Sequence, residues 1–199
     1  PVLIATDVAE FAAGYGHTLY VKTDGTLWGM GANSAGQLGL NSTTDRNTAT
    51  QITTGVARVA AGYSHSAFVK TDGVLWLMGD NSAGQIGGLV SGRLVPTLLT
   101  GTVADVAAGA YHTVFLRTNG TAVTLGDNSS GQLGDGTFNN RITPYNLATD
   151  VAKIAAGGFG TAYIRTDGTL WKVGGNRIGQ LGDGSTQNRA TAVQVATNV

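Results

Sequence analysis

The chain has no cysteine, only three prolines and a single glutamate, Glu10. Without thiols it forms no disulfide and offers no thiolate to a metal. Charge is sparse as well: charged residues make up 12% of the 199, and 12 Lys and Arg balance 12 Asp and Glu. A protein that tracks phosphate backbones carries a basic excess on one face, so this balance excludes a nucleic-acid footprint and predicts no nucleic-acid partner. No apolar run approaches the ~18 residues of a spanning helix, and nothing resembles a signal peptide, so no membrane span is expected. The first residue is Pro1 and not a methionine, which predicts a processed or excised start. Low charge, missing thiols and abundant Thr, Asn, Gly and Ala point to an extracellular, cell-surface or virion-surface setting.

Glycine is the residue in excess, 31 of 199, yet Gly and Pro together stay below the roughly 25–30% that marks low-complexity disorder. The glycines are in register. Ala12-Ala13-Gly14 recurs as Ala60-Ala61-Gly62, Ala107-Ala108-Gly109 and Ala155-Ala156-Gly157, with steps of 48, 47 and 48 residues. Gly36-Gln37, Gly84-Gln85, Gly131-Gln132 and Gly179-Gln180 keep the same steps. A period of this length belongs to propellers, solenoids or arrays, whose units cannot bury their apolar faces alone. The chain therefore reads as one repeat domain, 1–199, with approximate repeats 1–48, 49–95, 96–143 and 144–191, and with 192–199 opening a fifth.

In the second copy two apolar, β-branched and aromatic runs, Ser66 to Lys70 and Val74 to Met78, flank Thr71-Asp72-Gly73. This predicts a hairpin, and Asp-Gly suggests a two-residue type I′ turn with positive φ at both positions. Asp24-Gly25, Asn119-Gly120 and Asp167-Gly168 stand in the same place. Val56 to Ala61 supplies a third strand, and the segment before it, Ala49 to Thr53, is the expected fourth. Four short antiparallel strands per unit fit a propeller blade, giving an all-β fold.

Asp24-Gly25, Leu27-Trp28 and Asn33-Ser34-Ala35-Gly36-Gln37-Leu38-Gly39 carry a resemblance to the repeats of the regulator-of-chromosome-condensation family, RCC1-like β-propellers, here of bacterial type. It covers nearly the whole chain. Departures are Ala122-Val123 for Leu-Trp, and Gly160 where His17, His65 and His112 stand in the other copies. Rings of this family usually have seven blades, so four repeats imply an open or partial ring, or part of a larger one. No residue here marks nucleotide exchange on a small GTPase, so that activity is not carried over from the shared fold, and neither an enzyme nor a cofactor is expected. The resemblance also implies a role for aromatic face loops, which propellers of this family that inhibit β-lactamases use to grip their partner.

Eight basic residues recur by position: Lys22, Lys70, Arg117 and Arg165 before the turn, and Arg46, Arg93, Arg141 and Arg189 in the long connection. Recurrence favours blade building. The histidines share one repeat position, so they offer either a structural hydrogen bond or, around the axis, a metal. No carboxylate or cysteine accompanies them at ligand spacing, and no metal site is expected. Asp80-Asn81 and Asp127-Asn128 lack the further acids of a calcium loop and fit Asx turns. No unrepeated cluster of reactive residues suggests catalysis. Asn41, Asn119 and Asn128 begin Asn-x-Ser/Thr sequences.

The candidate partner-binding set is aromatic: Tyr15, Tyr63, Tyr111 and Phe159, each just after an Ala-Ala-Gly. Rigid aromatics make good anchors, although they serve equally well to cover strand ends. The expected function is a non-enzymatic, protein-binding propeller scaffold with a partner as yet unidentified. The alternatives are a repeat protein that self-associates through its edges into a ring or filament, and a carbohydrate-binding surface module.

Overall fold

Apolar runs of five or six residues separated by glycine turns fold here as short antiparallel strands, and the structure, a computed structural model, describes residues 2–199. The expectation about Pro1 lies outside the described residues. The first sheet comprises β1 (Val8–Ala13), β2 (His17–Lys22), β3 (Leu27–Gly31) and β4 (Arg46–Thr53). The second comprises β5 (Val56–Ala61), β6 (His65–Lys70), β7 (Leu75–Asp80) and β8 (Gly92–Thr100). The third has β9 (Val103–Ala108), β10 (His112–Arg117), β11 (Ala122–Gly126) and β12 (Arg141–Ala148). The fourth has β13 (Val151–Gly157), β14 (Gly160–Arg165), β15 (Leu170–Gly174) and β16 (Arg189–Ala196). Each sheet is a four-stranded meander in sequence order, the blade of a propeller.

The outermost strand corrects the sequence reading. The segment Ala49 to Thr53 lies in β4 and pairs with β3, the hairpin before it, not with the strands after it. Its loop returns it to the free edge of β3, and at Gly55, with φ 70°, the chain turns into the next blade. Likewise Ala192 to Ala196 complete the fourth sheet as part of β16. Only the last step reaches onward: Val199 N donates to the Gly168 carbonyl at 3.0 Å, as Val56 N does to Gly25 at 3.0 Å.

The turn type differs as well. Gly25 N donates to the Lys22 carbonyl at 2.9 Å and Lys22 N to that of Thr26 at 2.9 Å, while Gly25 alone in the turn has positive φ, 79°. This is a three-residue loop, a type I turn closed by a left-handed glycine. Asp24 stays right-handed, and its Oδ1 accepts from Thr26 N at 2.9 Å and Thr26 Oγ1 at 2.7 Å. The aspartate is there to cap the turn.

Burial follows from blades being covered on both sides. In β6, Ala67 and Val69 pack with Val103, Val106 and Phe115 of the third sheet, whereas Phe68 packs with Leu19, Val21 and Leu27 of the first. That is why the inner strands read as apolar runs without polar alternation. Recurrent cations build blades as expected: Lys22, Lys70 and Arg165 lie 5.4, 5.5 and 4.8 Å from the rings of Trp28, Trp76 and Trp171. Arg141 and Arg189 bind Asp135 and Asp183 at 3.1 and 2.7 Å.

The Asn-x-x-Gly-Gln-Leu-Gly ending is a self-bonded loop. Buried Asn33 accepts from Leu38 N at 2.9 Å and donates Nδ2 to the carbonyls of Ser42 and Thr44 at 2.7 and 3.1 Å. Asn128 is buried in the same way, so the sequence it begins offers no accessible amide. The carboxylates of Asp80 and Asp127 bind Ser82 with Gln85 and Ser129 with Gln132, as Asx turns do.

Neighbouring inner strands touch in the order β1 with β5, β5 with β9 and β9 with β13. Among the described residues the first and fourth sheets are not joined, so the arc stays open.

Candidate binding face

The loops after the inner strands gather at one end of the arc. There Tyr15 and Tyr63 stack with ring centroids 4.1 Å apart at 14°, and Tyr63 and Tyr111 with centroids 5.2 Å apart at 25°. Three tyrosines from three blades thus form one ladder, with Tyr15 75% exposed at its end. Backbone bonds hold the loops together across blades: Tyr15 N to the Gly62 carbonyl at 3.1 Å, Tyr63 N to that of Ala110 at 3.0 Å, and Ala110 N to that of Gly158 at 2.9 Å. The one-residue offset of Tyr111 leaves its ring within stacking reach. The Tyr63 phenol is pushed above its ordinary value, first by hydrogen bonding with the Tyr15 hydroxyl. Beside it the small residues Ala13, Ala61, Ala108 and Ala156 border a hollow of about 330 Å³ along the axis.

Phe159 does not join the ladder. Strand pairing in the fourth blade runs one step further, to Gly157 with Gly160, so Gly158 and Phe159 form a tight hairpin tip, Gly158 with φ 46°. Phe159 is half exposed and borders a separate hollow with Gly175 and Gln180.

The histidines lie under this face and act sideways. His17 Nε2 is 2.8 Å from Ser66 Oγ, which donates to the Gln37 carbonyl at 2.7 Å. His65 meets Thr113 at 3.0 Å, and Thr113 donates to the Gln85 carbonyl at 2.7 Å. His112 meets Thr161 at 3.0 Å, and Thr161 donates to that of Gln132 at 2.8 Å. Each hydroxyl has one hydrogen and gives it to a carbonyl, so each imidazole donates from Nε2. Nδ1 is then a bare, buried acceptor without a partner. Burial lowers His17 and His112 to about 4, and lowers His65 to about 3 with the neighbouring His112 and His17 adding to the effect. Each neutral ring is thus a bolt from one blade into the next.

These rings also explain the glycine of Ala-Ala-Gly. A Cβ at Gly14, Gly62 or Gly109 would collide with the imidazole of His17, His65 or His112, whereas one at Gly157, beside Gly160, meets nothing. Among the described residues, no three His, Asp or Glu side chains gather as a metal cluster.

A sequence profile described as the regulator of chromosome condensation (RCC1) repeat matches residues 8–37, 56–85 and 103–132, and a second with that description matches 24–69 and 72–116. No curated protein matches. Among solved structures, human WBSCR16 is similar at 26% identity and a TM-score of 0.82, over 95% of this chain and 54% of that one. Prp20p from Saccharomyces cerevisiae, described with its binding to Gsp1p and histones, is similar at 17% identity and a TM-score of 0.84, over 99% and 52%. Yeast RCC1 (Prp20) with Kap60 bound is similar at 16% identity and 0.82, over 99% and 50%. The chain spans about half the length of these structures. Together these matches run from residue 8 to residue 132, more than half of the chain, and the chain belongs to the regulator of chromosome condensation (RCC1) repeat family.

Proposed function

We propose that the chain is a non-enzymatic scaffold that binds a protein partner through its tyrosine face. The observation that carries this reading is the ladder of Tyr15, Tyr63 and Tyr111, which is exposed at one end and held by backbone bonds between blades. Stacked tyrosines present apolar area with polar tips at small entropic cost. The surrounding loops carry glycine, alanine and serine and no charge, so the partner surface is apolar or aromatic and not strongly charged. Binding of Gsp1p and histones by Prp20p, a protein of like fold, supports a protein as the ligand class. An extracellular or surface setting is part of the proposal, on composition alone.

The test is capture of partners by the immobilised chain, then calorimetric titration of the captured protein against Tyr63→Ala and Tyr111→Ala. Each variant should weaken binding at least tenfold, the scale of an interface anchor, with an unchanged melting transition. A partner bound equally well by both variants would refute the tyrosine face, and a large loss of stability would return the rings to a packing role.

A further inference from the structure

Both ends of the arc expose blade faces that are buried elsewhere. In the first blade Phe11 is 74% exposed, whereas Val59 and Val106 at the same repeat position are 6% exposed. In the fourth blade Ala162, Ile164 and Leu170 are only partly buried, whereas Leu19, Val21 and Leu27, their equivalents in the first, are fully buried against the second. The two bare faces have complementary parts, because one is the side a blade turns to its predecessor and the other the side it turns to its successor.

Charge adds a direction and a count. The third residue of each inner strand is Glu10, Arg58, Asp105 and Lys153 in turn, so the sign alternates from blade to blade. Arg58 Nη1 lies 3.5 Å from Glu10 and Nε 3.9 Å from Asp105, reaching both neighbours. Lys153 is the last of the series, on an open face, and Glu10 is the first. An alternating series closes without a like-charge contact only in a ring with an even number of blades, and two copies of four meet that condition.

We infer that the fourth-blade face docks on the first-blade face of a second copy, twice, closing a head-to-tail ring of eight blades. At each new junction Lys153 stands beside Glu10 of the second copy, and Phe11 is covered by Ile164 and Leu170. Each junction sets a fourth blade on a first blade, and the two-fold axis that relates the two junctions makes the whole interface isologous and closed. It is also weaker than the internal junctions, since Gly160 withholds the imidazole that bolts each of the others. In the single chain Lys172 Nζ donates to the Gln180 carbonyl at 2.5 Å, taking the acceptor that a hydroxyl of the following blade occupies at Gln37, Gln85 and Gln132. Thr18 of the second copy is the hydroxyl at that repeat position. Gly157 keeps an open seat for an imidazole at position 160.

Sedimentation velocity of the 199-residue chain from nanomolar to tens of micromolar should show a reversible monomer–dimer equilibrium that stops at the dimer. Phe11→Asp and Lys153→Glu should each weaken it by about tenfold or more without lowering monomer stability, because both side chains are exposed in the single chain. Gly160→His should tighten it by about fivefold to tenfold, one buried hydrogen bond, and adding Thr18→Val should cancel that gain. A monomer throughout the range, the result expected if further blades of a longer polypeptide cover these faces, would overturn the inference. So would oligomers that grow without limit, or a dimer indifferent to Phe11→Asp.

Discussion

Acid should loosen this propeller well above the range in which its carboxylates titrate, because three imidazoles are folded in neutral form. His17, His65 and His112 have folded values of about 4, 3 and 4, against about 6.5 in an unfolded chain. Above pH 6.5 they are neutral in both states and cost nothing. Below it the unfolded chain takes up protons that the folded chain refuses, so their contribution to stability is lost as pH falls from 6.5 towards 4. The structural cause is Nδ1: protonation would turn a buried atom without a partner into a buried donor without one. At pH 5 the loss is about 2 kcal/mol per histidine and at most about 6 kcal/mol for all three, from 1.36 kcal/mol per pH unit. A typical domain has about 5–15 kcal/mol in total, so unfolding should be close at that pH. The carboxylates of Asp24, Asp135 and Asp167 lie below their ordinary value of 3.8 and release their share only under stronger acid. Urea midpoints between pH 8 and 4.5 at fixed ionic strength measure the effect. His112→Gln, which keeps a donor but does not titrate, should flatten the slope by about a third. A midpoint that is level between pH 7 and 5, or an undiminished slope in His112→Gln, would refute the reasoning.

Other perturbations separate position from composition. Gly62→Ala should destabilise by about 2–3 kcal/mol because its methyl collides with His65, while Gly157→Ala, facing open space, should stay within about 0.5 kcal/mol; equal effects in denaturant melts would show that the ring does not set the glycine. Thr102 holds φ 60° at the turn position where Gly55 holds 70°, so Thr102→Gly should stabilise by about 1 kcal/mol by relieving a strained β-branched residue, and a lower urea midpoint would count against it. Gly73→Ala, at φ 79°, should cost about 1–2 kcal/mol from backbone strain. Asp72→Ala should cost about 1 kcal/mol from the lost bond to Val74 N, and a double variant whose loss is the sum of the two would agree with the separate roles assigned to them.

Period and composition were enough to read the architecture. Copies of Ala-Ala-Gly and Gly-Gln in step mean one supersecondary unit repeated, and apolar runs around Asp-Gly mean hairpins, because those patterns are local and the chain's chemistry dictates them residue by residue. The aromatic positions were legible for the same reason, as were the Asx turns. What the sequence left open depended on which strand lies beside which. The outer strand Arg46–Thr53 lies closer in sequence to the strand that follows it, Val56–Ala61, than to Leu27–Gly31 before it, and only the returning loop built on Asn33 assigns it to the first sheet. An Asp-Gly pair fits two turn types, and the positive φ at the glycine alone decides between them. Tyr111 stands one residue out of phase, yet it stacks on Tyr63, while Phe159 at the same offset does not stack, since the missing imidazole at Gly160 lets the fourth hairpin close tighter. The link from each histidine to a hydroxyl 48 or 49 residues later could not be read along the chain, because it exists only where two blades meet.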